Sequence, residues 1–171
     1  LGLIDDPRHF VELIRAKDKE YGLGRIVAGY AWEWVSRKNK SAYDIDLGDG
    51  VRMRWNSNDK DWIASPKSRD EVGSIHTIQG YDLNYAGVII GGDLRYDLVE
   101  ERLYVERANY FDRAGKANVA MAGEVTTDAM LRKFIWNIYS VLLTRGIRGT
   151  FIHVVDPGLR EYLGRYFDVI G

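Results

Sequence analysis

Residues 72–92 read VGSIHTIQGYDLNYAGVIIGG, two apolar runs enclosing a compact polar turn. Val72–Thr77 ends in hydroxyl and imidazole groups, and Gln79-Gly80-Tyr81-Asp82 has the composition of a tight turn or a single helical turn. Ala86–Ile90 is a short buried-strand signal rich in β-branched residues. In an open parallel sheet, the side chains just beyond the carboxyl ends of strands are those that meet ligands. The chemistry of the chain is therefore expected in this turn.

Outward from it, His76-Thr77-Ile78-Gln79-Gly80-Tyr81-Asp82 resembles the fifth conserved motif of superfamily 1 helicases: a strand ending in Thr, a Gln-Gly or Lys-Gly pair, and an acid before the next apolar strand. Further along, Leu142-Leu143-Thr144-Arg145-Gly146-Ile147-Arg148-Gly149 resembles the sixth, an apolar pair followed by Thr-Arg, a small residue, any residue, a basic residue and Gly. Their order and separation agree with the family. With the run AGYAWEW and the segment DKDW added, the chain is most similar to the Schlafen-group-3-like DNA/RNA helicase domain of uncharacterised bacterial proteins, over nearly its whole length.

The resemblance implies a second RecA-like domain: an α/β fold with a mainly parallel sheet flanked by helices and decorated by β-hairpins, without a phosphate-binding loop of its own. It implies that Arg145 is an arginine finger, with Arg148 as the second basic residue of the motif. Gln79, Gly80, Asp82 and Thr144 would face the nucleotide, Asp82 accepting from a ribose hydroxyl and Gly80 permitting close backbone approach. His76 and Thr77 would lie nearest a nucleic-acid backbone. Many family members carry Glu where this chain has Asp82, which has the shorter reach. ATP with Mg would be bound mainly by an N-terminal RecA-like domain, and single-stranded DNA or RNA would be the other partner.

At 171 residues with 46% apolar content, the chain suffices for one domain with a sizeable core. It has no cysteine, which removes disulfides and thiolate metal sites and is compatible with a cytoplasmic location. No apolar run approaches the ~18 residues of a membrane span, so no membrane partner is expected. The start, LGLIDDPRHF, has neither a basic n-region nor an apolar h-region, nor an initiator Met. The chain is read as residues 1–171 of a single C-terminal RecA-like domain cut from a longer protein. A net charge of −1 means that any nucleic-acid contact must use a local basic patch.

In chain order, Asp5-Asp6-Pro7 marks a helix start, with Asp6 as cap and Pro7 in the first turn, and Gly22 and Gly24 mark its end. GLGRIV is not a dinucleotide fingerprint, since Val27 stands at the third Gly position and the run precedes a strand. Arg25–Val35 reads as a strand with Tyr30, Trp32 and Trp34 on one face, either a stacking platform for bases or a covered aromatic face. Ser36–Ser41 is a polar, basic loop. Tyr43–Leu47 and Val51–Trp55 around Gly48-Asp49-Gly50 form a hairpin signal, with Arg52 and Arg54 on the face opposite Met53 and Trp55.

Asn56–Glu71 reads as irregular apart from a turn near Trp62-Ile63. Leu94–Tyr96 and Arg102–Glu106 read as a second hairpin, and Ala108–Gly123 as a mobile loop. Thr126 or Thr127 caps a strongly periodic helix carrying Leu131, Ile135, Ile138 and Leu142, which delivers Thr144-Arg145 at its end. Gly146 and Gly149 stop that helix, Thr150–Val155 is a buried strand, and Asp156-Pro157 opens a last helix reaching about Tyr166.

No G-x-x-x-x-G-K-[ST] loop occurs. Val88–Asp93, an apolar run ending in an acid, also fits a magnesium-holding Walker B strand, which without a phosphate loop has nothing to serve. His9, His76 and His153 are far apart and form no metal-ligand spacing, and no G-x-S-x-G elbow or Cys nucleophile is present. Two functions remain: the motor half of an ATP-dependent DNA/RNA helicase or translocase, or a non-catalytic module binding nucleic acid or protein on the same fold. For the first, the ends of Val72–Thr77 and Thr150–Val155 are expected to converge with the Thr144–Gly149 turn on one exposed edge.

Overall fold

Asp6 starts the first helix as its position requires: its carboxylate accepts hydrogen bonds from the Arg8 and His9 amides, Pro7 occupies the first turn, and Gly22 ends the helix at φ +68°. This helix is α1 (Pro7–Tyr21). The computed structural model describes residues 1–112 and 126–171. In it the strands are β1 (Gly2–Ile4), β2 (Gly24–Ala28), β3 (Ile45–Asp46), β4 (Arg52–Trp55), β5 (Glu71–Ser74), β6 (Leu83–Ile90), β7 (Leu94–Asp97), β8 (Arg102–Val105), β9 (Gly146–Val154) and β10 (Asp168–Ile170). Two further helices are α2 (Asp128–Leu143) and α3 (Pro157–Leu163).

An eight-stranded sheet in the order β10-β1-β9-β6-β2-β5-β4-β3 forms the centre. Every neighbouring pair is parallel except β3 with β4 at one edge. The chain is thus α/β with a mostly parallel sheet flanked by helices, consistent with the RecA-like expectation. Pleating splits each strand between two cores. Ile26, Ala28 and Ile89 pack with Phe10, Val11 and Ile14 of α1, while Val27, Val88 and Ile90 pack with Leu131, Ile135 and Leu142 of α2 and Leu159 of α3. Runs buried on both faces cannot alternate apolar with polar, which is why β6 reads as a continuous apolar stretch.

Several sequence readings need correction. The strand expected at Arg25–Val35 ends at Ala28. Ala28 is paired with Ser74, the last residue of β5, so the chain beyond it has no partner on that side and leaves the sheet at Gly29. The first hairpin exists, with Ile45 opposite Met53, but it is no mere decoration, because β4 joins β5 in parallel and extends the main sheet. Arg52 and Arg54 do face away from buried Met53 and Trp55. The second hairpin, β7 with β8, stands where it was expected as a separate two-stranded ribbon, with Leu94 opposite Val105 and Asp97 opposite Arg102.

The segment before β5 holds two single turns of 3-10 helix, Trp62–Ala64 and Pro66–Arg69. Trp62 lies against Gly73, where a Cβ would come within 2.6 Å of its ring. Thr127 caps α2 by accepting from the Met130 amide. The loop expected at Ala108–Gly123 lies outside the described residues from 113 onward, and its first two residues belong to a 3-10 turn, Arg107–Asn109. Gly146 starts β9 where a stop was expected, and β1 and β10, three residues each, were not foreseen.

Candidate functional site at the two edges of the sheet

Because the strands run parallel, the carboxyl ends of β5 and β9 share one edge and the Thr144–Gly149 turn occupies the other. Their expected convergence is therefore corrected. Strand β6 has eight residues, which at ~3.3 Å each puts the edges roughly 25 Å apart. What links them is the crossover from Ile75 to Asp82. It leaves β5 at the carboxyl edge, with the Thr77 and Ile78 amides donating to the Ser74 carbonyl, and returns to the amino edge where β6 begins. Ile75 and Ile78 are buried in the α2-side core and pin the crossover to the sheet. Gly80 turns it at φ +82° with open space where a Cβ would stand.

At the amino edge the two sequence motifs meet. The Leu83 amide donates to the Arg145 carbonyl at 2.8 Å, and Arg145 Nη1 lies 3.7 Å from Asp82 Oδ1. That separation is an ion pair and not a hydrogen bond. With Asp82 65% exposed, the pair is solvated and contributes little to stability. Arg145 Nε is buried and, among the described residues, has no hydrogen-bond partner. The guanidinium is thus held in place by its surroundings yet incompletely satisfied.

The helix end behind Arg145 is fixed by hydroxyls. Thr144 Oγ1 donates to the Val141 carbonyl at 2.9 Å, and Thr150 Oγ1 to that of Leu143 at 3.1 Å. Thr144, Gln79 and Gly80 are exposed. Arg148 goes elsewhere. A bulge in β9 sets Ile147 and Arg148 opposite Asn84 alone, and the Arg148 guanidinium lies 4.9 Å over the ring of Tyr21 at the end of α1. Among the described residues Arg148 forms no ion pair, and the cation–π contact is what holds its guanidinium.

At the carboxyl edge, His76 Nε2 lies 3.2 Å from Asp112 Oδ2, and the imidazole is half exposed. Its ring sits 5.6 Å from that of Tyr30. Thr77, expected beside a nucleic-acid backbone, is buried, and its hydroxyl meets that of Ser74 at 2.9 Å. Sequence reasoning missed Phe111 and Asp112, which lie within a stretch legible only as loop, and Asn56, whose side-chain oxygen accepts from the Ser74 amide at 3.2 Å.

Asp93 lies in the turn between β6 and β7 and does not face solution. Its Oδ1 accepts from the buried Tyr139 hydroxyl at 2.7 Å, and burial pushes its carboxyl up to about 6. A carboxylate enclosed in this way is no magnesium ligand, which removes the Walker B alternative. Among the described residues no group of three or more His, Cys, Asp or Glu side chains is arranged to hold a metal, and no helix is long and apolar enough to cross a membrane.

Residues 1–156 match the family model described as Schlafen group 3, DNA/RNA helicase domain. Uncharacterized protein YPL245W of Saccharomyces cerevisiae is 38% identical over 168 residues, which is 94% of this chain and 36% of that protein. The chain thus spans about a third of the relative's length, and the relative is a yeast protein, where the sequence resemblance pointed to bacterial ones. No solved structure matches. The chain belongs to the Schlafen group 3 DNA/RNA helicase domain family.

Proposed function

We propose that this chain is the C-terminal motor half of an ATP-dependent DNA/RNA helicase or translocase, the second RecA-like domain of a superfamily 1 type machine. The observation that carries the reading is the meeting of Asp82 and Arg145 at one exposed edge, where Arg145 Nη1 stands 3.7 Å from Asp82 Oδ1, too far for a hydrogen bond. A planar guanidinium in that state is suited to bridge phosphate oxygens across a domain cleft and to offset charge as a phosphoryl group transfers to water. ATP with its Mg would be held mainly by an N-terminal RecA-like domain that supplies the phosphate loop. When phosphate engages Arg145, Asp82 is released to accept from a ribose hydroxyl. Gly80 leaves room for the nucleotide, Gln79 and Thr144 offer polar groups beside it, and Arg148 on Tyr21 borders the same edge.

The opposite edge would carry the strand, with His76 at the surface and Thr77 behind it. The crossover between them is short and apolar-anchored, so a displacement at Asp82 is passed to His76 through packed residues. Hydrolysis and strand movement are coupled in this scheme by one segment of chain.

The first test is complementation. Residues 1–171 alone, freed of contaminating ATPases, should show negligible ATP turnover because no phosphate loop is present, and turnover stimulated by single strands should appear when an N-terminal RecA-like half is joined to them. Robust hydrolysis by residues 1–171 alone would overturn the division of labour.

A further inference from the structure

We propose that the carboxyl edge grips a single strand by its bases, stacked in a cleft built from Tyr30, Trp34 and Phe111 beside His76. The proposal rests on the reading of that edge as the strand side. After leaving β2 at Gly29, the chain folds its aromatic run around the buried indole of Trp55. Ring centroids lie 5.4 Å from Trp55 for Tyr30 and 6.1 Å for Trp34, and the two lie 6.1 Å from each other. Their inner faces serve packing. Tyr30, Trp34, Arg37, His76, Phe111 and Asp112 are among the residues lining a cavity of about 330 Å³; Phe111 is 42% exposed, and the Asp112 carboxylate is engaged by His76 at 3.2 Å.

The charges beside the rings favour a polyanion. The Arg37 guanidinium lies 4.3 Å over the Trp34 ring, and its ion pair with exposed Asp59 is long at 3.8 Å. Ser36–Ser41 contributes Arg37, Lys38 and Lys40, all exposed, and no acid. An adjoining cleft of about 600 Å³ shares Trp34 and Arg37 and continues past Lys40, Arg54 and Lys67. Two of the acids lining it are already engaged, Asp70 by Arg15, and Glu71 by the Trp62 indole and the Ser57 amide. Rings flanked by cations are the arrangement that binds unpaired bases through stacking and their phosphates through charge. A quaternary ammonium ligand, the other frequent guest of aromatic cages, would be repelled by Arg37.

The test compares fluorescein-labelled oligothymidylate with an abasic oligomer of equal length and charge, by anisotropy at low salt with residues 1–171. Tighter binding of the base-bearing strand is expected. Trp34→Ala and Phe111→Ala should each weaken that binding by about tenfold, within the range of one base–ring stack, and leave abasic binding unchanged. Trp34→Phe should keep most of the affinity, and Arg37→Ala should weaken both oligomers alike. Phe111→Ala decides the matter if Trp34→Ala fails to fold. Equal affinity for the two oligomers would overturn base stacking and leave the strand reading intact, whereas binding of neither would overturn both.

Discussion

Arg145 and Asp93 are two side chains whose surroundings leave them incompletely satisfied, with opposite consequences. Arg145 keeps a buried Nε without a hydrogen-bond partner among the described residues while its Nη1 reaches toward exposed Asp82 at the amino edge. Asp93 is short of one in the interior, its Oδ2 having no hydrogen-bond partner among the described residues, and its cost is readable in pH. Its carboxyl is raised from an ordinary 3.8 to about 6, so between those values the folded chain holds a proton that the unfolded chain has released. Stability from this group is then fully present below pH 4 and is lost as pH rises through 6, by about 3 kcal/mol. Asp93→Asn keeps the oxygen that accepts from Tyr139 and abolishes the titration. Urea unfolding should show the variant gaining on wild type by about that amount between pH 4 and pH 7. A stability difference that stays constant across this range would mean that Asp93 titrates as an ordinary surface acid.

Elements were legible in the sequence to the extent that their own residues define them. The caps at Asp6 and Thr127 and the face of Leu131, Ile135, Ile138 and Leu142 are local signals, and the helices stand where these put them. Strands β1 and β10 have three residues each and no period of their own; they exist because β9 offers β1 an edge and β1 offers β10 another. The alternation of Tyr30, Trp32 and Trp34 imitates a strand, yet pairing stops where β5 stops. The aromatic run then serves a cleft, whose Phe111 arrives from a distant loop with its amide donating to the Tyr30 carbonyl at 2.8 Å. No local rule foresees that juxtaposition.

Close approach between α1 and β6 was equally illegible, although Gly87 enforces it. A Cβ there would stand 2.6 Å from Ile14 Cγ1 and 3.0 Å from Phe10 Cζ. Gly87→Ala should cost roughly 1–3 kcal/mol by overpacking, and Ile14→Ala in the same chain should restore part of it. An alanine variant as stable as wild type in urea would show that the helix can lift from the sheet without loss.

For the whole molecule, the order of motifs in the chain places their residues at two opposite edges of the sheet, to which the proposed function gives different work. The fifth motif contributes to both, through His76 at one end of the crossover and Asp82 at the other, and the sixth contributes Arg145 to the amino edge alone. With a net charge of −1, attraction for a strand must come from the local cations around Arg37, so affinity should fall steeply with added salt. The account stands or falls on Arg145 acting on phosphate. In a protein that joins this chain to the proposed phosphate-loop half, Arg145→Ala should leave nucleotide and strand binding in place while strand-stimulated ATP hydrolysis falls by roughly 10³–10⁵. Arg145→Lys should stay far below wild type, because a point charge cannot reproduce the planar donor fork. Hydrolysis within a few-fold of wild type in either variant would contradict the assignment and return Arg145 to a structural role at the end of α2.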